Sequence, residues 1–243
     1  MGVSMEFRDL KRQYQLHKAE IDGAVQEVID ATHFILGPQV VQLERELAQY
    51  TGVKHCISCA NGTDALQLAL MAWEIGKGDA VFVPDFTFFS SGEVVPLTGA
   101  VPVFVDIDKD TYNISVDSLR SAIEYVIRNT DLQPKVIVVV DLFGRPADYN
   151  AIRQIAKQYG LLVLEDAAQS FGGMADGRKT CSFGDISTTS FFPSKPLGCY
   201  GDGGAVFTDN DEWADKLASL RVHGKGSDKY DNIRIGMNSR LDT

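Results

Sequence analysis

The chain has 243 residues, 44% of them hydrophobic, enough for one sizeable core. Its formal net charge of −10 argues against a nucleic-acid or anionic-membrane partner, but leaves room for a small anion held by local cations or helix N-termini. No apolar run is long enough to span a bilayer and the opening MGVSMEFRDLKRQYQL lacks a signal-peptide core, so a cytoplasmic protein is expected.

Helical spacing covers residues 16–31 and 39–50, split by Gly37-Pro38. Residues 55–59, HCISC, read as a strand carrying a CxxC pair, Cys56 and Cys59. No second ligand pair at metal spacing follows, so no metal is expected and these thiols read as small buried hydrophobes. A helix is expected over 64–73, strands over 81–84, 101–105, 136–140 and 161–165, and helices over 116–127, 149–158 and 209–220. Strands that are apolar throughout, joined by helices, indicate an α/β fold: a parallel sheet covered on both faces, with ligands at the C-terminal strand ends. The polar ending GMNSRLDT, with no closing element, reads as a piece of a longer protein.

The strand ends carry the chemistry. After the first strand comes Asn61-Gly62-Thr63-Asp64 and then a helix, so Thr63 and the helix N-terminus form a phosphate site in physical terms; a plain helix cap is the alternative. After residues 81–84 comes DFTFFSS, whose phenylalanines either pack in the core or stack on a flat ring. Residues 161–165 end in Glu165-Asp166; side chains alternate across a strand, so one acid of the two faces a given site. In TTSFFPSKPLGCYGDGG, Lys195 sits between Pro193 and Pro196, which stiffen its segment. A phosphate cradle, an aromatic face, a strand-end carboxylate and a rigidly held amine are the four things pyridoxal phosphate requires. A nicotinamide site is disfavoured, because Gly198, Gly201, Gly203 and Gly204 lack GxGxxG spacing and precede a strand.

Taken in order, NGTDALQLAL, PDFTFFSS, VPVFVDID, LFGRPADY, EDAAQSFG, TSFFPSKPLGCYGDGG and IGMNSRLDT resemble the DegT/DnrJ/EryC1/StrS family of sugar-nucleotide aminotransferases over nearly the whole chain. The resemblance is closest to the branch that aminates UDP-2-acetamido-2-deoxy-3-keto-glucuronic acid in O-antigen synthesis, with glutamate as donor. A 4-keto-6-deoxy nucleotide sugar and a non-catalytic cofactor-binding relic are the alternatives. The fold it implies is the large domain of the aspartate aminotransferase class, a mainly parallel seven-stranded sheet with helices on both faces. N-terminal helices would occupy about residues 1–52 and the sheet domain about 53–243, the family's smaller C-terminal domain being absent.

By position, the resemblance makes Lys195 the Schiff-base lysine, catalytic in transamination, and Asp166 the partner of the pyridine nitrogen. Phe88 would stack on the ring and Gln169 would lie beside it. Gly62, Thr63, Asp64 and Ser190 would surround the phosphate. Asn238 would reach the phosphate in the other subunit of a homodimer with shared active sites, and Arg240 would hold a carboxylate of the sugar or of glutamate. Lys195 argues against the family's dehydratases, which replace that lysine.

Overall fold

The computed structural model describes residues 8–228 and 230–243. Asp9 caps the first helix, α1 (Leu10–Ala31), by accepting the Arg12 N–H at 2.8 Å. The helix therefore starts well before residue 16, where apolar periodicity first becomes readable. It buries no residue. Gly37 and Pro38 open α2 (Pro38–Thr51) at the expected break, with proline at the first helical position, where its missing N–H costs nothing.

Seven strands form one sheet in the order β1-β9-β8-β5-β4-β2-β3: β1 (His55–Cys59), β2 (Asp79–Pro84), β3 (Val101–Val105), β4 (Gln133–Val140), β5 (Leu162–Asp166), β8 (Ile186–Ser190) and β9 (Gly204–Thr208). A two-residue pair, β6 (Met174–Ala175) and β7 (Arg178–Lys179), forms a separate hairpin. Both antiparallel pairings in the large sheet involve β9, so the other six strands share one direction.

Alternation along the strands feeds two cores. Val81, Val83, Val136 and Val138 pack with Leu66 and Leu70 of α3 (Gly62–Ala72), with α4 (Ser90–Leu97) through Val94 and Val95, and with Leu217 of α7 (Asp211–Leu220). Phe82, Ile137 and Val139 pack on the opposite face with Leu119 and Ile123 of α5 (Val116–Asn129) and Ile152 and Ile155 of α6 (Tyr149–Tyr159). Each such buried side chain contributes about 1.5–3 kcal/mol, which is why helices of modest length stay docked.

The same alternation separates the two thiols of the CxxC. Cys59 joins the first core and Cys56 a third cluster with Leu47 and Phe207, so they face opposite sides of β1. Burial pushes the Cys59 thiol up to about 12 and raises that of Cys56 as well, which makes both poor nucleophiles. Behind β1, Arg221 at the end of α7 donates to Glu44 of α2 and, at 2.7 Å, to the Ser58 carbonyl, tying α2, β1 and α7 together.

Candidate active site

The C-terminal ends of β1, β2, β5 and β8 converge on a cavity of about 430 Å³ whose lining includes Gly62, Thr63, Phe88, Asp166, Gln169, Ser190 and Lys195. One opening thus brings together seven of the residues singled out in the sequence. Asp64, Asn238 and Arg240 do not line it. Arg240 lines a separate groove with His223, Lys225 and Arg234, and Asn238 bridges to Val222.

The floor is built from the turn after β1. The N-cap of α3 is Asn61, whose Oδ1 accepts the Asp64 N–H at 2.8 Å. Neither Thr63 nor Asp64 is the cap, which corrects the capping alternative. Because Asn61 does that work, the Thr63 hydroxyl is free to bond the Ser90 hydroxyl at 2.7 Å inside the cavity. The first N–H groups of a helix have no partner within it and carry the positive end of its dipole. Three hydroxyls, from Thr63, Ser90 and Ser190, therefore gather beside a helix N-terminus. Gly62 makes this approach possible: a Cβ there would stand 2.6 Å from the Ser190 Cβ.

Asp166 and Glu165 divide as alternation requires. Asp166 lines the cavity, while Glu165, fully buried, takes the N–H groups of Cys181 (2.6 Å), Phe183 (2.7 Å) and Gly184 (3.1 Å) and the Ser187 hydroxyl (2.7 Å). These four donors, with no cation among the described residues, hold Glu165 in place and fasten the 181–187 turn to β5. Asp166 accepts the Ser91 hydroxyl at 2.9 Å and the Ala168 N–H at 3.2 Å. Burial pushes its carboxyl above the usual range; Ser91, Ala168 and the Lys195 ammonium oppose that shift. A buried carboxylate in this position favours any cation that enters the cavity.

Gln169 too is held as an acceptor, its Oε1 taking the Phe143 N–H at 2.7 Å. Phe88 lines the cavity yet is 67% exposed; Phe89, next to it in the chain, and Phe143, whose ring meets that of Phe86, are more exposed still. Behind the 166–170 turn, Asp141 accepts the Ser170 hydroxyl (3.0 Å), the Tyr149 hydroxyl (2.9 Å) and the Ala147 N–H (3.1 Å). Burial, reinforced by the charge of Glu165, pushes the Asp141 carboxyl up to about 8.

Ser90 and Ser91 were not singled out in the sequence, although the paired serines of DFTFFSS were the available signal. Asn61, Asp202 and Ser194 also line the cavity without having stood out.

The family model for the DegT/DnrJ/EryC1/StrS aminotransferase family matches residues 15–243. The UDP-2-acetamido-2-deoxy-3-oxo-D-glucuronate aminotransferase of Pseudomonas aeruginosa is 49% identical over 98% of this chain and 64% of its own length. A solved DegT DnrJ EryC1 StrS aminotransferase from Brucella abortus superposes with a TM-score of 0.97 at 53% identity, over 98% of this chain and 64% of that one. NtdA from Bacillus subtilis, solved with bound cofactor PMP, superposes at 0.89 with 33% identity, over 100% of this chain and 54% of its own. The chain thus spans somewhat under two thirds of the length of these relatives.

Proposed function

The chain belongs to the DegT/DnrJ/EryC1/StrS aminotransferase family, and on that premise we propose that it is a pyridoxal-phosphate-dependent aminotransferase. It moves an amino group from glutamate to a nucleotide-linked keto sugar, UDP-2-acetamido-2-deoxy-3-keto-glucuronic acid, in the synthesis of a surface polysaccharide such as O-antigen. The observation that carries this reading is the presence of Lys195 and the buried Asp166 in one cavity whose floor offers three hydroxyls beside a helix N-terminus. The identity to the Pseudomonas relative favours the 3-keto uronic acid over a 4-keto-6-deoxy sugar.

The donor set fits the cofactor. Thr63, Ser90 and Ser190 would bind its phosphate, at a turn where the close approach to Ser190 excludes a side chain on residue 62. Asp166 would face the ring nitrogen, Phe88 would cover the ring and Gln169 would lie beside it. When bound, the cofactor supplies an aldehyde that exchanges amines and a protonated ring that draws electrons from the carbon bearing the amine.

The chain's residues do the rest. Asp166 keeps a proton on the nitrogen opposite it, because a buried carboxylate is stabilised by a positive partner. Ser91 holds that carboxylate in one orientation. Lys195 Nζ, with its amine unbound, would take the proton from the glutamate Cα and, in the second half-reaction, deliver a proton to the sugar carbon that receives the amine. Pro193 and Pro196 limit the directions the lysine can take.

Asn238 and Arg240, which do not line their own chain's cavity, would serve the cavity of a second copy in a homodimer; the exposed rings of Phe88, Phe89 and Phe143 support such a contact. Among the described residues no helix is long and apolar enough to cross a membrane, and the four cysteines are free thiols, which supports a cytoplasmic site of action.

Glutamate added to the cofactor-loaded protein should bleach its visible band and release one equivalent of 2-oxoglutarate per site. A band unmoved by millimolar glutamate would overturn the transaminase reading.

A further inference from the structure

The segment that carries Lys195 is poorly held by its own backbone. Between β8 and β9, Lys195 N–H bonds Phe192 at 2.8 Å and Cys199 N–H bonds Phe191 at 2.8 Å, while Pro193 and Pro196 have no N–H to give. The carbonyls of Ser194, Lys195 and Pro196 receive no backbone hydrogen bond among the described residues. What gathers them is a side chain more than 180 residues away in sequence, since the separations are 186 to 188. Arg8 directs Nη1 to the Ser194 and Lys195 carbonyls, the latter at 2.5 Å, and Nη2 to the Pro196 carbonyl at 3.5 Å. A guanidinium suits this task, because its donors radiate in one plane and stay protonated throughout the working pH range.

A second contact joins the same two segments. The Tyr14 ring of α1 meets the Tyr200 ring edge-on, with centroids 6.1 Å apart. Since α1 buries no residue of its own, these two contacts couple the N-terminal helix to the lysine segment and not to the core.

We propose that Arg8 is a positioning residue for Lys195: its guanidinium clamps three successive carbonyls and so fixes the direction in which the lysine enters the cavity. Arg8 does not itself line the cavity, and it meets the main chain of Lys195, not the amine proposed to react. It acts through the backbone of residues 194–196, and the proposal rests on Lys195 being the residue that bonds the cofactor.

Two readouts test it, on wild type, Arg8→Ala and Arg8→Lys. The first is amide exchange in cofactor-free protein, read on the peptide spanning 192–203 with β4 as internal reference. The second is the rate at which Lys195 becomes labelled by pyridoxal phosphate and borohydride. In Arg8→Ala, exchange in 192–203 should rise by about tenfold with β4 unchanged, as for loss of a local tether. Labelling should slow by about ten- to a hundredfold, the cost of an ångström-scale misplacement. Arg8→Lys, which keeps the charge but not the planar fork, should recover only part of the labelling rate. Wild-type labelling in Arg8→Ala would overturn the proposal, whether or not exchange changes. If wild type itself takes no label on Lys195, the functional reading fails, and unchanged exchange in Arg8→Ala would then separately refute the clamp.

Discussion

Replacing Gly62 by alanine separates the demands of the helix from those of the site. The new Cβ would lie 2.6 Å from the Ser190 Cβ and 3.1 Å from its Oγ. Carbon atoms pack at about 3.5–4.0 Å, so either the start of α3 or the end of β8 must give way by roughly 1 Å. Overpacking of this kind costs about 1–3 kcal/mol. Against that stands the helix propensity of alanine over glycine, worth about 1 kcal/mol or less at a first-turn position. The net loss should therefore be about 0–2 kcal/mol in urea denaturation. Gly23→Ala calibrates the propensity gain, because a Cβ at residue 23 of α1 has nothing within 4 Å, so that variant should be stabilised by about 0.5–1 kcal/mol.

Cofactor binding should suffer more. Ser190 and Thr63 flank the cradle, and losing well-aimed hydrogen bonds to a charged phosphate costs about 1.5–3 kcal/mol, or roughly ten- to a hundredfold in affinity. Titration with pyridoxal phosphate, followed by its visible absorption, reads this directly. If Gly62→Ala binds the cofactor like wild type and gains the same stability as Gly23→Ala, the close approach at the cradle is not what the site depends on.

Two further predictions follow from buried carboxylates. Asp166→Asn should raise the melting temperature of the cofactor-free protein at neutral pH, since it removes an acid that burial disfavours, while turnover falls by about a thousandfold or more for want of a charge opposite the ring nitrogen; calorimetry and steady-state kinetics on one preparation check both. Asp141 gives a pH signature. Its folded value, about 8, lies above that of an unfolded aspartate, about 4. Between those values the folded protein holds a proton that the unfolded chain has released, so stability falls as pH rises through this window and levels off above it. Asp141→Asn should lose less stability than wild type between pH 6 and 8.5, and parallel curves for the two proteins would refute the assignment.

The elements legible in the sequence were those whose side chains write their own period. The run of valines in β4 and the largely apolar strand 55–59, with Asn61-Gly62 one residue beyond it, identify themselves, because burial on both faces keeps most of their residues apolar. β8 was missed for the opposite reason. Its sequence is ISTTS, and its buried hydroxyls are tolerated because they find partners: Ser187 with Glu165, Thr188 with the Glu165 carbonyl and Thr189 with that of Ala167. α4 was missed because Gly92 and Pro96 lie inside it; Val94 and Val95, buried against the sheet, override that propensity.

The site divides the same way. Lys195, Asp166 and the turn after β1 each carried a local signal, from flanking prolines, a strand end or a glycine. Ser91 carried only the weak signal of the paired serines in DFTFFSS, since its purpose lies in Asp166, 75 residues further along the chain. Arg8 was silent altogether, because its partners are carbonyl oxygens, which any residue supplies.

The measurement that bears most directly on the central claim is to add pyridoxal phosphate to the chain, reduce with borohydride and locate the modified peptide by mass spectrometry. The account predicts one label per chain, on Lys195, lost in Lys195→Ala. Label spread over surface lysines, with Lys195 unmodified, would contradict it.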